Sequence, residues 1–565
     1  MPAEPALNVV LCWHMHQPDY RDPHTGSPLQ PWTYLRALKD YTDMAAHLEM
    51  VDNACAVVNF TPILLEQLGC YSRQINGYLQ HNSALQDPLL AQLLAAQPGA
   101  SPTAAENILR KCLSGRHLNF SRRHETYHML LEFAEALRQR NDLLASASEG
   151  FFADLLVWFH LSWLGETVHR NDPRVQQLID KARDYTLDDR RALLEIIGEQ
   201  IDAVVPRYRA LQDESRVELA LSPYAHPLAP LLLDFNSARE ANPEVALPPC
   251  SHYPGGETQL QWQIDKGLDI FEHHFGRRPS GCWPAGGALS NAVLQQLADS
   301  GFKWTASGTD VLLNSLNPSA REHPDANVLH QGYLAGEPPI CCFFRDDRLS
   351  NLIAFTYATW HADDAVANLI QQLEGIHRNC DDKKNAVVAI IMDGDNAWEH
   401  YPNNGFYFLQ ALYRRIANHP KFELTTFSKC LQADRQSLPA LVAGSWACGN
   451  LSSWIGSPDK NRAWEMLVSA KHQFDLVMQQ NFLPPSQRHE ATRLMAICEG
   501  SDWFWWPGNG NSPQAVQNFD NLYRIHLTAL YQCLEIPPPK YLAHSYTHPP
   551  SSTDTWPDDV MKKNT

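Results

Sequence analysis

Four stretches of the chain run apolar for about five residues and then stop at a polar cluster. They are LNVVLCWHMHQP at 7–18, RVELALSPYAHP at 216–227, FKWTASGTD at 302–310 and NAVVAIIMDGDNAWEH at 385–400. Short, fully apolar strands predict a parallel sheet covered by helices on both faces. Polar residues gathered just after such strands are what a β/α barrel presents at its C-terminal face, where catalytic loops sit. Between the strands the spacing becomes helical. Thr186 and Asp189 suit a capping box ahead of Leu193, Ile197, Ile201 and Val204, and the segment 124–139 puts Leu130, Phe133, Ala134 and Leu137 on one face. Residues 62–215 consist mainly of such helices and predict a helical insertion within a barrel domain spanning 1–400. After residue 405 the pattern is almost wholly helical, as at 461–480, and predicts a C-terminal helical domain over 401–540. Residues 541–565 are rich in proline and polar residues, which predicts a loosely ordered tail. No internal repeat is visible.

Composition narrows the partners. A chain of 565 residues is too long for one simple core, and 44% hydrophobic with 19% charged residues is ordinary for a globular protein. A formal net charge of −18 opposes nucleic acid or an anionic membrane as a partner. No run approaches the roughly 20 apolar residues of a membrane span. Thirteen cysteines stand as singletons apart from 341–342, without CxxC or zinc-type spacing. With no basic segment ahead of the first apolar run, this predicts reduced thiols and a cytoplasmic protein. Sixteen Trp and nineteen Tyr offer flat faces of the kind on which sugar rings stack, although most such residues serve as core.

The chemistry concentrates at the strand ends. His14 and His16 lie at spacing two with Gln17 beyond them, and they read equally as satisfied core histidines or as a polar site. No third ligand at short spacing accompanies them, so no metal is expected. Glu218 and His226 flank the strand that stops at Pro223. The sharpest local signal is Asp393-Gly394-Asp395 followed by Trp398 and Glu399. A carboxylate at the tip of a buried strand is costly unless paired or useful. An Asx turn closing the strand is the plainer alternative. Paired acids beside a tryptophan also match what glycoside hydrolysis needs.

Taken in order, these segments resemble glycoside hydrolase family 57, the α-glucan-acting family of α-amylase-like hydrolases, 4-α-glucanotransferases and branching enzymes. HMHQP resembles its first motif, SPYAHPLAPLLLD the second, GCWPAGGALS the third and IIMDGDNAWEHYPNNG the fourth. GSWACGNLSSWIGSPDKNRAWEML resembles the fifth, and residues 499–527 resemble a segment of the C-terminal helical region. The resemblance implies an α/β fold, an incomplete seven-stranded β/α barrel followed by a helical domain. It also implies a retaining mechanism without metal or cofactor, and an α-glucan or maltooligosaccharide partner from glycogen or maltodextrin metabolism. It makes Asp393 the general acid/base. It makes His14, His16, Gln17, Glu218, His226, Trp283, Asp395, Trp398, Trp446 and Trp454 candidate substrate contacts.

The nucleophile of the family is a Glu in Trp-Pro-x-Glu-Gly, and counting from Trp283 that position is Gly286. A retaining enzyme holds its two carboxyl groups about 5–5.5 Å apart so that one can attack the anomeric carbon. Glycine offers no attacking oxygen, and loss of a nucleophile in another hydrolase class costs about a millionfold in kcat. Glu257, Asp310, Asp347 and Glu399 fall near loop positions as possible substitutes. Three readings follow: a retaining enzyme of reduced activity, a non-catalytic α-glucan binder, or a scaffold that turns over only with an external anion or an activated donor. The motifs set neither the α-glucan and linkage, nor hydrolysis against transfer, nor the oligomeric state.

Overall fold

The computed structural model describes residues 5–548 apart from 116–117, 141–143, 145–146, 317–325, 434 and 509. Its sheet comprises β1 (Leu7–Met15), β2 (Ala56–Phe60), β3 (Val217–Leu221), β4 (Gly281–Cys282), β5 (Trp304–Gly308), β6 (Tyr333–Ala335), β7 (Ile340–Arg345), β8 (Val387–Asp393), β9 (Phe422–Thr425) and β10 (Gln436–Ser437). Strands β1, β2, β3, β4, β5, β7 and β8 pair in parallel in that order, and β8 pairs back onto β1 from Asn8↔Val387 to His14↔Asp393. The result is a seven-stranded parallel barrel. Its closure at β7–β8 is short: Arg345↔Ala389 is paired and the Asp346 amide donates to the Ala389 carbonyl at 2.8 Å.

The continuous apolar runs follow from burial on both faces of each strand. In β1, Leu7, Val9, Leu11, Trp13 and Met15 pack outward into the helical layer, while Val10 and Cys12 pack inward. The inward cluster also takes Val57 from β2, Ala220 from β3, Trp304 and Ala306 from β5, Cys341 and Phe343 from β7, and Val387, Ala389 and Ile391 from β8. A period of two then places the next inward residue of β1, β2, β3, β7 and β8 at the C-terminal mouth of the barrel. These are His14, Asn59, Ser222, Arg345 and Asp393. Polar groups are tolerated there because the mouth offers partners that the filled interior lacks.

The helices between β2 and β3 run from Pro62–His81 to Leu187–Asp213, and Thr186 and Asp189 form the expected capping box. In the helix Glu125–Gln139 the buried residues are Tyr127, Leu131, Ala134 and Leu137, and Phe133 is exposed. The inward face is thus rotated from the one the sequence predicts. The chain after 405 also departs from an almost wholly helical pattern. After the helix Phe406–Ala417, β9 pairs in parallel with the first half of β1, from Leu7↔Phe422 to Val10↔Thr425. Strand β10 then extends β6, which is antiparallel to β7. Among the described residues four α-helical segments follow, Pro458–Gln480, Pro485–Cys498, Asp502–Trp505 and Pro513–Cys533.

Of the expected loose tail, 549–565 lie outside the described residues. Residues 541–548 pack: the Thr547 hydroxyl donates to Asp520 at 3.0 Å and the His548 amide to Asp459 at 3.0 Å. No helix among the described residues is long and apolar enough to cross a membrane.

Candidate functional site

The mouth of the barrel carries a continuous polar ring. Asn59 Nδ2 lies 2.8 Å from His14 Nδ1 and donates to Ser222 Oγ at 2.9 Å, and Ser222 in turn donates to the Trp283 carbonyl at 2.6 Å. His14 is flanked in register by Asn59 on β2 and Asp393 on β8. The rings of His14, His16 and His226 gather into one stack, with centroids 4.9 Å apart for His14–His226 and 3.9 Å for His16–His226. Burial first, and then neighbouring histidines, push His14 and His226 well below the usual imidazole range, so both are neutral at pH 7.

The C-terminal helices complete this ring. His16 Nε2 lies 2.9 Å from Asp502 Oδ2 and Nδ1 lies 3.1 Å from Thr61 Oγ1. Ser501 Oγ lies 3.2 Å from His226 Nδ1, and the Ser501 amide donates to the His226 carbonyl at 2.9 Å. His16, His226 and Asp502 bring ligand atoms within 4.8 Å of one another and, among the described residues, are the group able to hold a metal.

Asp393 ends β8 and is partly exposed. Burial of its surroundings raises its carboxyl above the usual range, opposed by the nearby charges of His16, Arg345 and Arg36 and by a hydrogen bond from Asn396. A raised carboxyl suits a proton donor to a leaving oxygen. Asp395 is buried beneath it, accepting from Gln17 Nε2 at 3.0 Å and the Tyr41 hydroxyl at 3.0 Å. Burial, reinforced by the Asp393 charge and opposed by Arg36, pushes its carboxyl up to about 7. Asp395 and Gln17 therefore brace the strand end from below.

The third-motif loop shows what occupies the nucleophile position. Gly286 has φ +58°, in the left-handed region that favours glycine. A Cβ built there would stand 2.6 Å from Cη2 and 2.8 Å from Cζ2 of Trp454. That indole is 3% exposed and packs on Trp505 at 4.9 Å. The loop is also zipped to the fifth motif, with the Trp446 amide donating to the Gly286 carbonyl at 3.1 Å and Leu289 bridging Gly444. Trp454 therefore fills the ground into which a side chain at 286 would grow.

Several other sequence candidates lie elsewhere. Glu218 points inward at the start of β3, the opposite end of the barrel. It accepts from Trp304 Nε1 at 2.6 Å and from the amide and hydroxyl of Ser428, whose helix Phe427–Cys430 plugs that end. Trp398 is buried against Trp13 and Phe408 and donates to the Gly394 carbonyl at 3.0 Å, so it supports the loop from the core side. Trp283 is buried within the inward cluster.

Trp446 differs from these. It lines a cavity of about 600 Å³ together with Asp310, Asp347 and His330. Arg345 joins that cavity to the ring: its Nε donates to the Ile391 carbonyl at 2.6 Å, its Nη1 pairs with Asp347, and its guanidinium sits 5.2 Å from the Trp446 ring. Among the other possible substitutes, Glu399 is held by Arg36 at 3.2 Å and Glu257 is exposed at the start of the helix Gly256–Phe275.

Sequence reasoning missed Asn59, Ser222, Arg345 and Asp502. For the first three the signal was present: each is the polar residue two positions beyond an inward apolar one. Asp502 had none, because its position depends on how the C-terminal helices dock.

The Glycosyl hydrolase family 57 model matches residues 10–440. Among solved structures, a branching enzyme of that family from the hyperthermophilic archaeon Thermococcus kodakaraensis is similar at 15% identity and a TM-score of 0.57, covering 93% of this chain and 90% of that one. A branching enzyme from Pyrococcus horikoshii is similar at 15% identity and 0.56, covering 99% and 100%, and the α-amylase AmyC from Thermotoga maritima at 13% and 0.55, covering 94% and 93%. No curated protein matches the sequence. At these identities the solved structures establish the seven-stranded barrel with its C-terminal helical region. The family match across more than half of the chain, over the ring just described, shows that this chain belongs to glycosyl hydrolase family 57.

Proposed function

We propose that this chain is an α-glucan-binding member of the family in which retaining hydrolysis or transfer is lost or strongly reduced. The observation that carries this reading is the packing of Trp454 against Gly286, at 2.6 Å from the built Cβ. A site that had lost only a carboxylate would keep room for one. Here the room is filled by a buried indole tied into its own aromatic cluster. Asp393 keeps the raised carboxyl of an acid/base, and Trp446 lines a cavity large enough for glucose units. The branching enzymes, amylase and glucanotransferase that share the fold act on α-glucans by their names, which supports maltooligosaccharides as ligands. None of the thirteen cysteines forms a disulfide with another described residue, which supports a reducing, cytoplasmic setting.

The test is maltoheptaose turnover by the wild-type chain with and without azide. The expected result is none in either case, because azide needs the space that Trp454 fills. Turnover appearing only with azide would refute the filled-pocket argument, and unaided turnover at an ordinary rate would refute the whole reading. A second reading, an enzyme with a displaced carboxylate, is favoured by Asp347 and Asp310 lining the Trp446 cavity. It predicts unaided turnover that Asp347→Asn or Asp310→Asn abolishes.

A further inference from the structure

We propose that His16, His226 and Asp502 bind one divalent transition-metal ion, with zinc the best match. The three residues come from the end of β1, the loop after β3 and the segment Asp502–Trp505, and their ligand atoms lie within 4.8 Å of one another. All three side chains are buried, at 6% exposure for His16 and Asp502 and 3% for the His226 residue. His226 Nε2 is buried without a hydrogen-bond partner, as is His14 Nε2 in the same stack. The other ring nitrogens are already tethered, His16 Nδ1 by Thr61 Oγ1 and His226 Nδ1 by Ser501 Oγ. Such outer hydrogen bonds occupy Nδ1 and leave Nε2 as the donor.

Two imidazoles and one carboxylate, with a fourth position open, are a donor set that zinc accepts. Ligand atoms each about 2.1 Å from a tetrahedral ion stand about 3.4 Å apart. The widest spacing, up to 4.8 Å, must therefore close by up to about 1.4 Å, while His16 Nε2 and Asp502 Oδ2 at 2.9 Å already stand inside that separation. The ion takes the place of the proton now shared between His16 Nε2 and Asp502 Oδ2 at 2.9 Å. The overlapped rings of His16 and His226 then turn their Nε2 atoms towards the common centre. This site stands apart from the nucleophile question and departs from the metal-free site that the family resemblance implies.

The test uses the untagged full-length protein, stripped with a chelator and titrated with Zn²⁺ alone and with Co²⁺ alone. The expected result is one ion per chain, with zinc affinity reduced at least tenfold in both His226→Ala and Asp502→Asn. His128→Ala, which removes an exposed histidine, should leave affinity unchanged. The Co²⁺ complex should show d–d bands without the intense near-ultraviolet band of a thiolate, since the thirteen cysteine thiols are the competing ligands. Should His226→Ala fail to fold, Asp502→Asn and the cobalt spectrum carry the same test. Failure to bind a stoichiometric ion, unchanged affinity in Asp502→Asn, or a thiolate band would each overturn the proposal. Maltooligosaccharide is absent from the assay, so its outcome is independent of the glucan reading.

Discussion

Restoring the family's carboxylate with Gly286→Glu should destabilise the protein and leave maltoheptaose untouched. Two costs are readable in the structure. A non-glycine residue held at φ +58° costs of order 1–3 kcal/mol. Growing a side chain from a Cβ only 2.6 Å from a 3%-exposed indole is overpacking, which costs about 1–3 kcal/mol more. The sum, about 2–6 kcal/mol, is a large share of the about 5–15 kcal/mol that holds a typical domain together. Denaturant unfolding followed by tryptophan fluorescence measures it, beside a chromatographic assay for released sugars. The double variant Gly286→Glu/Trp454→Ala should lose less stability than the two single losses added, with a coupling of about 1–3 kcal/mol, because removing the indole relieves the crowding. A Gly286→Glu protein as stable as wild type and releasing maltooligosaccharides would show that the loop was poised for a nucleophile, and the packing argument would fail.

Other consequences are separable. Burial pushes the Glu499 carboxyl up to about 7, against hydrogen bonds from Tyr253 and Gln263. The folded state therefore holds a proton that the unfolded state releases near 4.5. That contribution is fully present below about pH 4.5 and lost as pH rises to 7, some 3 kcal/mol by linkage. In unfolding experiments across that window, Glu499→Gln should flatten the pH dependence, and an unchanged slope would refute the assignment. Glu218→Gln should cost about 1–3 kcal/mol through unmatched donors at the closed end of the barrel while leaving maltoheptaose affinity unchanged by calorimetry. Trp446→Ala, by contrast, should weaken that affinity at least tenfold at little cost in stability, since its ring lines the cavity.

Much of this architecture was written in the order of residues. The apolar runs at 7–15 and 387–393 are buried on both faces, and the period of two carries directly from Val10 and Cys12 to His14, and from Ala389 and Ile391 to Asp393. Strand direction was overlooked in reading Glu218 as a substrate contact: it precedes the apolar part of its strand and sits at the N-terminal end, away from the mouth. The tryptophans were not legible. Trp283, Trp398, Trp446 and Trp454 look alike in sequence, and only tertiary packing made three of them core and one a cavity wall. The helix at 125–139 shows the same limit, because Leu130 and Leu131 are equally apolar and packing chose between Leu131 and Phe133. Strand β4, with two residues, was too short to show a period, and β9 follows a helix in a stretch read as helical. The docking of Ser501 and Asp502 onto two histidines some 275 and 486 positions away could not be read locally.

The most direct test of the central claim is titration of the wild-type chain with maltoheptaose in a calorimeter, followed by chromatography of the recovered sugar. The account predicts saturable binding, weakened in Trp446→Ala, with the maltoheptaose recovered intact. Shortened or lengthened chains in the recovered sugar, lost on Asp393→Asn, would contradict it and place a working nucleophile elsewhere in the site.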